Sequence, residues 1–106
     1  MSLAQRCLHS IPLSNAITLL ATVELAIGAQ AWVVDGANDP DGYMHCLYAA
    51  IAEADEGKAS YFTGILAADC IRAIAAGDWN PAPGNLAFLQ SVAAAEHIFL
   101  PEMLAA

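Results

Sequence analysis

The hydrophobic positions of this chain recur at helical spacing. Apolar residues three or four apart run through segments rich in Ala, Leu and Ile, whereas the apolar–polar alternation of strands is weak throughout. Four stretches of turn-forming residues interrupt these segments, at 10–12, 35–42, 57–59 and 77–85. The pattern therefore predicts an all-α protein, a compact bundle of four main helices plus a short N-terminal helix.

Capping residues, Gly and Pro set the predicted helix boundaries. Pro12 ends the short first helix, and Ser14 is the N-cap of the second. Gly57 and Gly77 close the third and fourth helices. The fifth helix starts after Asn85 and turns its apolar residues inward. The predicted spans are about 3–9, 15–34, 39–57, 60–76 and 86 onward.

The second predicted helix is the most apolar segment of the chain. From Ala16 to Val34 it has one charged residue, Glu24, and one amide, Gln30. A helix that is apolar all round is buried in a core, in an interface or in a membrane. Its length approaches the roughly 20 residues that cross a bilayer, but Glu24 lies in mid-span and acidic residues flank its C-terminal end. We therefore expect a soluble central helix, about which the others pack, and no membrane partner.

The composition adds a second expectation. The 106 residues are 58% hydrophobic and 13% charged, against about 45–50% and about 25% in ordinary globular chains. Such a length predicts a single domain over 1–106. Monomers seldom leave apolar patches larger than a few hundred Å² uncovered. We therefore expect a homo-oligomer, most simply a dimer, and a protein partner is a further possibility.

The charge excludes one class of partner. The net charge is −8, with three basic residues against eleven acidic ones. Nucleic-acid binding depends on Lys and Arg neutralising phosphates, so no nucleic-acid partner is expected. The three cysteines are widely spaced and form no Cys-x-x-Cys motif. They predict small buried hydrophobes in a reducing compartment, and the expected location is the cytoplasm.

Glu24 is the first candidate for a functional side chain. An unpaired carboxylate is costly to bury, so it must be exposed, protonated, hydrogen-bonded or ion-paired. The simpler interpretation is a structural hydrogen bond or salt bridge. The functional alternative is the polar anchor, or the general base, of an apolar ligand cavity.

Three further residues are candidates for a binding site. Arg72 lies three residues after Asp69, which predicts a local ion pair, with a contact to Glu24 or to an anionic ligand as the alternatives. Trp79 stands in a Pro-rich loop and is either packed over one end of the bundle or exposed as a partner-binding anchor. His45, beside Cys46, is the remaining candidate.

No cofactor or metal site is predicted. The three histidines are far apart, and the Glu-x-x-His spacing of di-iron bundles is absent. The residue pattern favours a non-catalytic module that acts through homo-oligomeric or other protein–protein contacts. The main alternative is a small-molecule binder or small enzyme with Glu24 in an apolar cavity, and a weaker one is a metal-dependent enzyme.

Overall fold

A computed structural model describes residues 10–34 and 40–95, and within those ranges the regular structure is four α-helices. They form an all-α bundle, which confirms the predicted fold class. The predicted short helix at 3–9 lies outside the described residues, as does the segment after Ala95. In chain order the helices are α1 (Ile11–Gly28), α2 (Asp41–Ala52), α3 (Glu56–Ala76) and α4 (Pro83–Ala95).

The start of α1 differs from the prediction. Ser10 is its N-cap, because the Ser10 hydroxyl accepts a hydrogen bond from the Leu13 N–H at 3.3 Å. Pro12 lies in the first turn, where a missing N–H removes no helical hydrogen bond. The prediction that Ser14 is the N-cap is therefore wrong, and Ser14 instead lies on the exposed side of the helix.

The end of α1 also differs, because the helix stops six residues before Val34. Gln30 has a φ of 60° and turns the chain away from the helix axis. The next N–H groups, those of Ala31 and Trp32, both donate to the carbonyl oxygen of Ala26. This reversal carries Trp32 into the core, where it is 1% exposed.

The boundary between α2 and α3 shows a third difference. Gly57 is not the cap of the third helix, since α2 ends at Ala52 and Gly57 lies in the first turn of α3. Asp55 starts α3 by accepting a hydrogen bond from the Lys58 N–H at 3.0 Å. At the other end, the predicted C-cap is confirmed, because Gly77 closes α3 with a φ of 83°.

The centre of the packing is α3, not the apolar α1 as predicted. It packs against each of the other three helices. Small side chains such as Ala59, Ala67 and Ala73 are fully buried along it and let its neighbours approach closely. α1, by contrast, is covered on one side only. Its buried residues are Leu13, Ala16, Leu19, Leu20, Val23 and Ala26.

Two tryptophans far apart in the sequence join the ends of α1 and α3. The Val33 N–H donates to the carbonyl oxygen of Asp78 at 2.8 Å, which sets the two chain segments side by side. The rings of Trp32 and Trp79 stack with centroids 5.3 Å apart and planes inclined by 8°. We call this pair the Trp clasp. Both rings are buried in the same core as α1 and α3.

Candidate functional site

The exposed side of α1 carries several of the large apolar side chains that are exposed among the described residues. Three large apolar side chains project from it: Ile11 is 75% exposed, Ile17 41% and Leu25 74%. The surface extends along the whole helix, about 27 Å at 1.5 Å per residue. We call it the α1 face, and it consists of Ile11, Ser14, Ile17, Thr18, Ala21, Glu24, Leu25 and Gly28.

Small residues occupy the middle of the α1 face. Ser14, Ala21 and Gly28 recur at intervals of seven residues, which is close to two helical turns. A Cβ added to Gly28 would meet no atom within 4 Å, so this part of the helix has open space outside it. A second helix could therefore approach α1 closely along this line.

Two grooves on the α2 side of the α1 face meet at Glu24. One has a volume of about 280 Å³ and contains Ile17 together with Tyr48 and Ile51 of α2. The other has a volume of about 530 Å³ and is apolar at Ile27, Val34 and Met44, with the carboxylates of Glu24 and Asp41 also lining it.

A third groove borders the opposite edge of the α1 face. Its volume is about 380 Å³, and it lies between α1 and the chain segment that precedes α4. Thr18 and Leu25 line it from α1, and Trp79 and Asn80 line it from the other side. Ala21 borders grooves on both edges, which places it in the middle of the face.

Glu24 is exposed to solvent. Exposure is one of the ways in which a carboxylate avoids the cost of burial without a partner. No ion pair joins it to another residue within 10–34 and 40–95. It is also the one charged residue among the eight of the α1 face. The face therefore has a single acidic group in an otherwise apolar and hydroxyl-bearing surface.

His45 lies on α2, outside the α1 face. Its Nε2 is 3.5 Å from the Asp41 Oδ2, one helical turn earlier in α2, and both side chains are exposed. Asp41 in turn lines the larger groove together with Glu24. Asp41 thus contacts His45 and lines a groove with Glu24.

Arg72 forms the local ion pair that its spacing predicts. Its guanidinium contacts the carboxylate of Asp69, and the arginine is exposed while Asp69 is buried. No ion pair between Arg72 and Glu24 occurs in the described part of the chain. The proposed contact across helices is therefore not found.

Trp79 is not a surface anchor. It is 2% exposed and forms half of the Trp clasp. The hypothesis of an exposed aromatic anchor required an accessible ring, so it is wrong. The alternative, a loop residue packed over one end of the bundle, describes its position.

The cysteines and the metal candidates occupy separate positions. Cys70 is fully buried in α3, and this burial raises the pKa of its thiol well above the usual range. Cys46 is half-buried in α2. In the part of the chain that the structure describes, no group of three His, Cys, Asp or Glu side chains is arranged to hold a metal ion.

Of the helices that the structure describes in 10–34 and 40–95, two have the length and composition of membrane-spanning segments. α1 has a mean hydropathy of 1.5 and α3 of 1.2 over 18-residue windows, of which 33% and 44% are buried in the bundle. The core helices of soluble proteins have similar values, so this property alone does not assign a location. The prediction that the chain has no membrane partner remains a prediction.

Sequence reasoning missed Ile11, Ile17 and Leu25 as surface residues. The prediction placed Ile17 and Leu25 on the second helix and Ile11 in the turn before it. That helix was interpreted as apolar on every side, so no solvent-facing side was assigned. The sequence signal was limited to the overall excess of apolar residues. Comparisons with protein-family models, with curated proteins and with solved structures find no match to this chain.

Proposed function

We propose that this protein is a non-catalytic interaction module that forms a homo-oligomer, most simply a dimer, through the α1 face. The observation that carries the proposal is the exposure of Ile11, Ile17 and Leu25 along one side of a single helix. Burying a large apolar side chain contributes about 1.5–3 kcal/mol. Scaled by their exposed fractions, these three contribute about 3–6 kcal/mol per subunit when covered.

A symmetric dimer doubles that contribution, because both copies bury the same residues. Association costs roughly 4–15 kcal/mol in lost freedom of motion. The apolar contribution is therefore similar in size to the cost of association, which it must exceed for a dimer to form. The small residues in the middle of the face favour this outcome, because they let two backbones approach closely.

The net charge of −8 opposes self-association at long range but is largely absent from the α1 face. Glu24 is the one charged residue there, so most of the negative charge lies on other surfaces. Repulsion between distant surface charges is screened by salt, whereas apolar contact is not. We therefore expect the dimer to be tighter at higher ionic strength.

The test compares two variants by sedimentation equilibrium. Leu25→Gln removes an apolar side chain that is 74% exposed, and Tyr61→Gln removes one that is 65% exposed on α3, away from the α1 face. Loss of two buried Leu25 side chains should weaken the dimer by roughly 30- to 1,000-fold. Tyr61→Gln should leave the Kd unchanged. Equal effects of the two variants, or a monomeric parent protein, would refute the proposal.

A second candidate function is the binding of a small amphiphilic cation. The larger groove supports it, because Ile27, Val34 and Met44 line an apolar volume of about 530 Å³ that also contains two carboxylates. Ligand sites are commonly about 300–1,000 Å³ and mostly apolar with few polar groups. Octylamine would place its tail in the groove and its ammonium group beside Glu24 and Asp41.

Calorimetric titration with octylamine tests this alternative. Octanoate, which has the same tail and the opposite charge, is the matched control ligand, and Glu24→Gln is the matched variant. Binding of the amine alone, weakened about tenfold by Glu24→Gln, supports a cation site. Equal binding of both ligands, or of neither, contradicts it.

A further inference from the structure

We infer that the second copy lies antiparallel on the α1 face, with the two-fold axis passing between residues 17 and 18. This inference rests on the proposed function, since it describes how the self-associating module pairs. It starts from the positions of the exposed side chains on the two edges of the face. Thr18 and Leu25 border the groove on the α4 side, and Ile17 and Glu24 border the groove on the α2 side.

The spacing of Ile11 and Leu25 gives the register. They are fourteen residues apart, close to four helical turns, so they lie on the same edge of the face at a separation of about 21 Å. A two-fold axis perpendicular to the helix brings each edge against the same edge of the second copy, in reversed order. An axis near residue 18 therefore sets Ile11 against Leu25 of the second copy. The symmetry produces this contact at both ends of the helix pair.

The same axis also brings the remaining residues of the α1 face into contact with the second copy. Ile17, on the other edge, comes against Ile17 of the second copy close to the axis. In the middle, Ser14 comes against Ala21 of the second copy. These two side chains are small, which suits helix axes about 8 Å apart. All three exposed apolar side chains of α1 are covered in this arrangement.

Charge complementarity selects this arrangement over a parallel one. In a parallel pair the two edges of the face exchange, so Glu24 would come beside Leu25 of the second copy, far from the positive end of either helix. In the antiparallel pair Glu24 comes beside the start of α1 in the second copy. That end of the helix is positive and has no acidic residue in its own first turn. Glu24 of each subunit supplies the missing acidic group.

Disulfide trapping of single-cysteine proteins tests the register. Cys7 and Cys46 are first replaced by serine, and Cys70 is kept because it is fully buried. In the antiparallel pair the two residues at position 25 are about 22 Å apart, far beyond the reach of a disulfide. We expect Leu25→Cys alone to remain uncross-linked, and a mixture of Leu25→Cys with Ile11→Cys to form the mixed disulfide.

The outcomes separate this inference from the proposed function. A dimer in which Leu25→Cys cross-links to itself would overturn the antiparallel register and leave the dimer in place. A dimer that cross-links at none of these positions would likewise overturn the register. A parent protein that stays monomeric would overturn both the inference and the proposed function.

Glu24→Gln provides a second readout that keeps the apolar contacts intact. The antiparallel pair loses two favourable contacts with helix N-termini, so the dimer should weaken about 3- to 30-fold. A parallel pair has no such contact to lose, so its Kd would change no more than the Kd of a charge-matched control. Glu56→Gln, at the exposed start of α3, changes the net charge equally and is the control. A change in Kd equal to that of the control, or a tighter dimer, would overturn the inference.

Discussion

The Trp clasp gives the sharpest prediction about the fold. Trp79 is 2% exposed and stacks on Trp32, which is 1% exposed, although its loop has the composition of an exposed turn. Replacing a buried Trp by Ala costs about 3–5 kcal/mol. The same change at an exposed site usually alters stability by less than about 0.5 kcal/mol. Trp79→Ala therefore distinguishes a core residue from a surface anchor.

The magnitude must be compared with the total stability. A chain of 106 residues has an unfolding free energy of roughly 5–16 kcal/mol at about 0.05–0.15 kcal/mol per residue. Trp79→Ala therefore removes a large part of it. Trp79→Phe keeps an aromatic ring and should cost about 1–3 kcal/mol, which remains measurable if the alanine variant is unfolded.

The assay is urea unfolding followed by far-ultraviolet circular dichroism, which reports helix content and does not depend on the replaced indole. All proteins are compared at one concentration, because association adds to stability. A double-mutant cycle with Trp32→Ala should give a coupling of about 0.5–1.5 kcal/mol for the stacked pair. A loss below about 1 kcal/mol for Trp79→Ala, or no coupling, would refute the clasp.

Three further predictions concern α3. Gly77→Ala should destabilise the fold by about 1–2 kcal/mol, because φ is 83° at this position. Gly84→Ala, in the first turn of α4, is the control and should be neutral or stabilising. Equal effects of the two variants in urea titrations would contradict the assigned C-cap. Native Cys70 should resist iodoacetamide at pH 8 while half-buried Cys46 reacts, as mass spectrometry can show. Because burial raises the pKa of Cys70 in the folded state, the thiol of the unfolded chain ionises first, and the free energy of unfolding should fall as pH rises past about 8.5. Cys70→Ala should remove that part of the pH dependence. An unchanged slope of unfolding free energy against pH in this variant would contradict the prediction.

The fold class could be predicted from the sequence because the residues that start and end helices act on the few residues next to them. Gly77 ends a helix where its own backbone conformation requires it, and the Asp69–Arg72 pair follows from helical spacing alone. The apolar residues of the last predicted helix were expected to point inward, and Leu89 and Val92 of α4 are buried. Each of these features depends on residues within one or two turns.

The errors have two causes, a competing local signal and a contact between distant residues. Gly57 had the composition of a C-cap, but Asp55 two residues earlier starts the next helix and includes Gly57 in its first turn. Trp79 is buried because Trp32 comes to it from the end of another helix, which no local pattern reveals.

The candidate site was predicted only in outline. Glu24 was identified as unusual, and the apolar excess predicted a surface that needs covering. Which side of α1 faces solvent depends on where α3 packs, and an evenly apolar helix contains no information on that point. Leu25 and Ile17 are therefore assigned by the tertiary structure rather than by the sequence.

Sedimentation equilibrium of the unmodified protein, over a range of concentrations at low and high salt, is the most direct test of the interaction function. The subunit mass is 11.0 kDa. The α1 face predicts a concentration-dependent rise to twice that mass, complete at lower protein concentration in high salt because the charge repulsion is screened. A mass of one subunit at every concentration and at both salt levels would contradict the account.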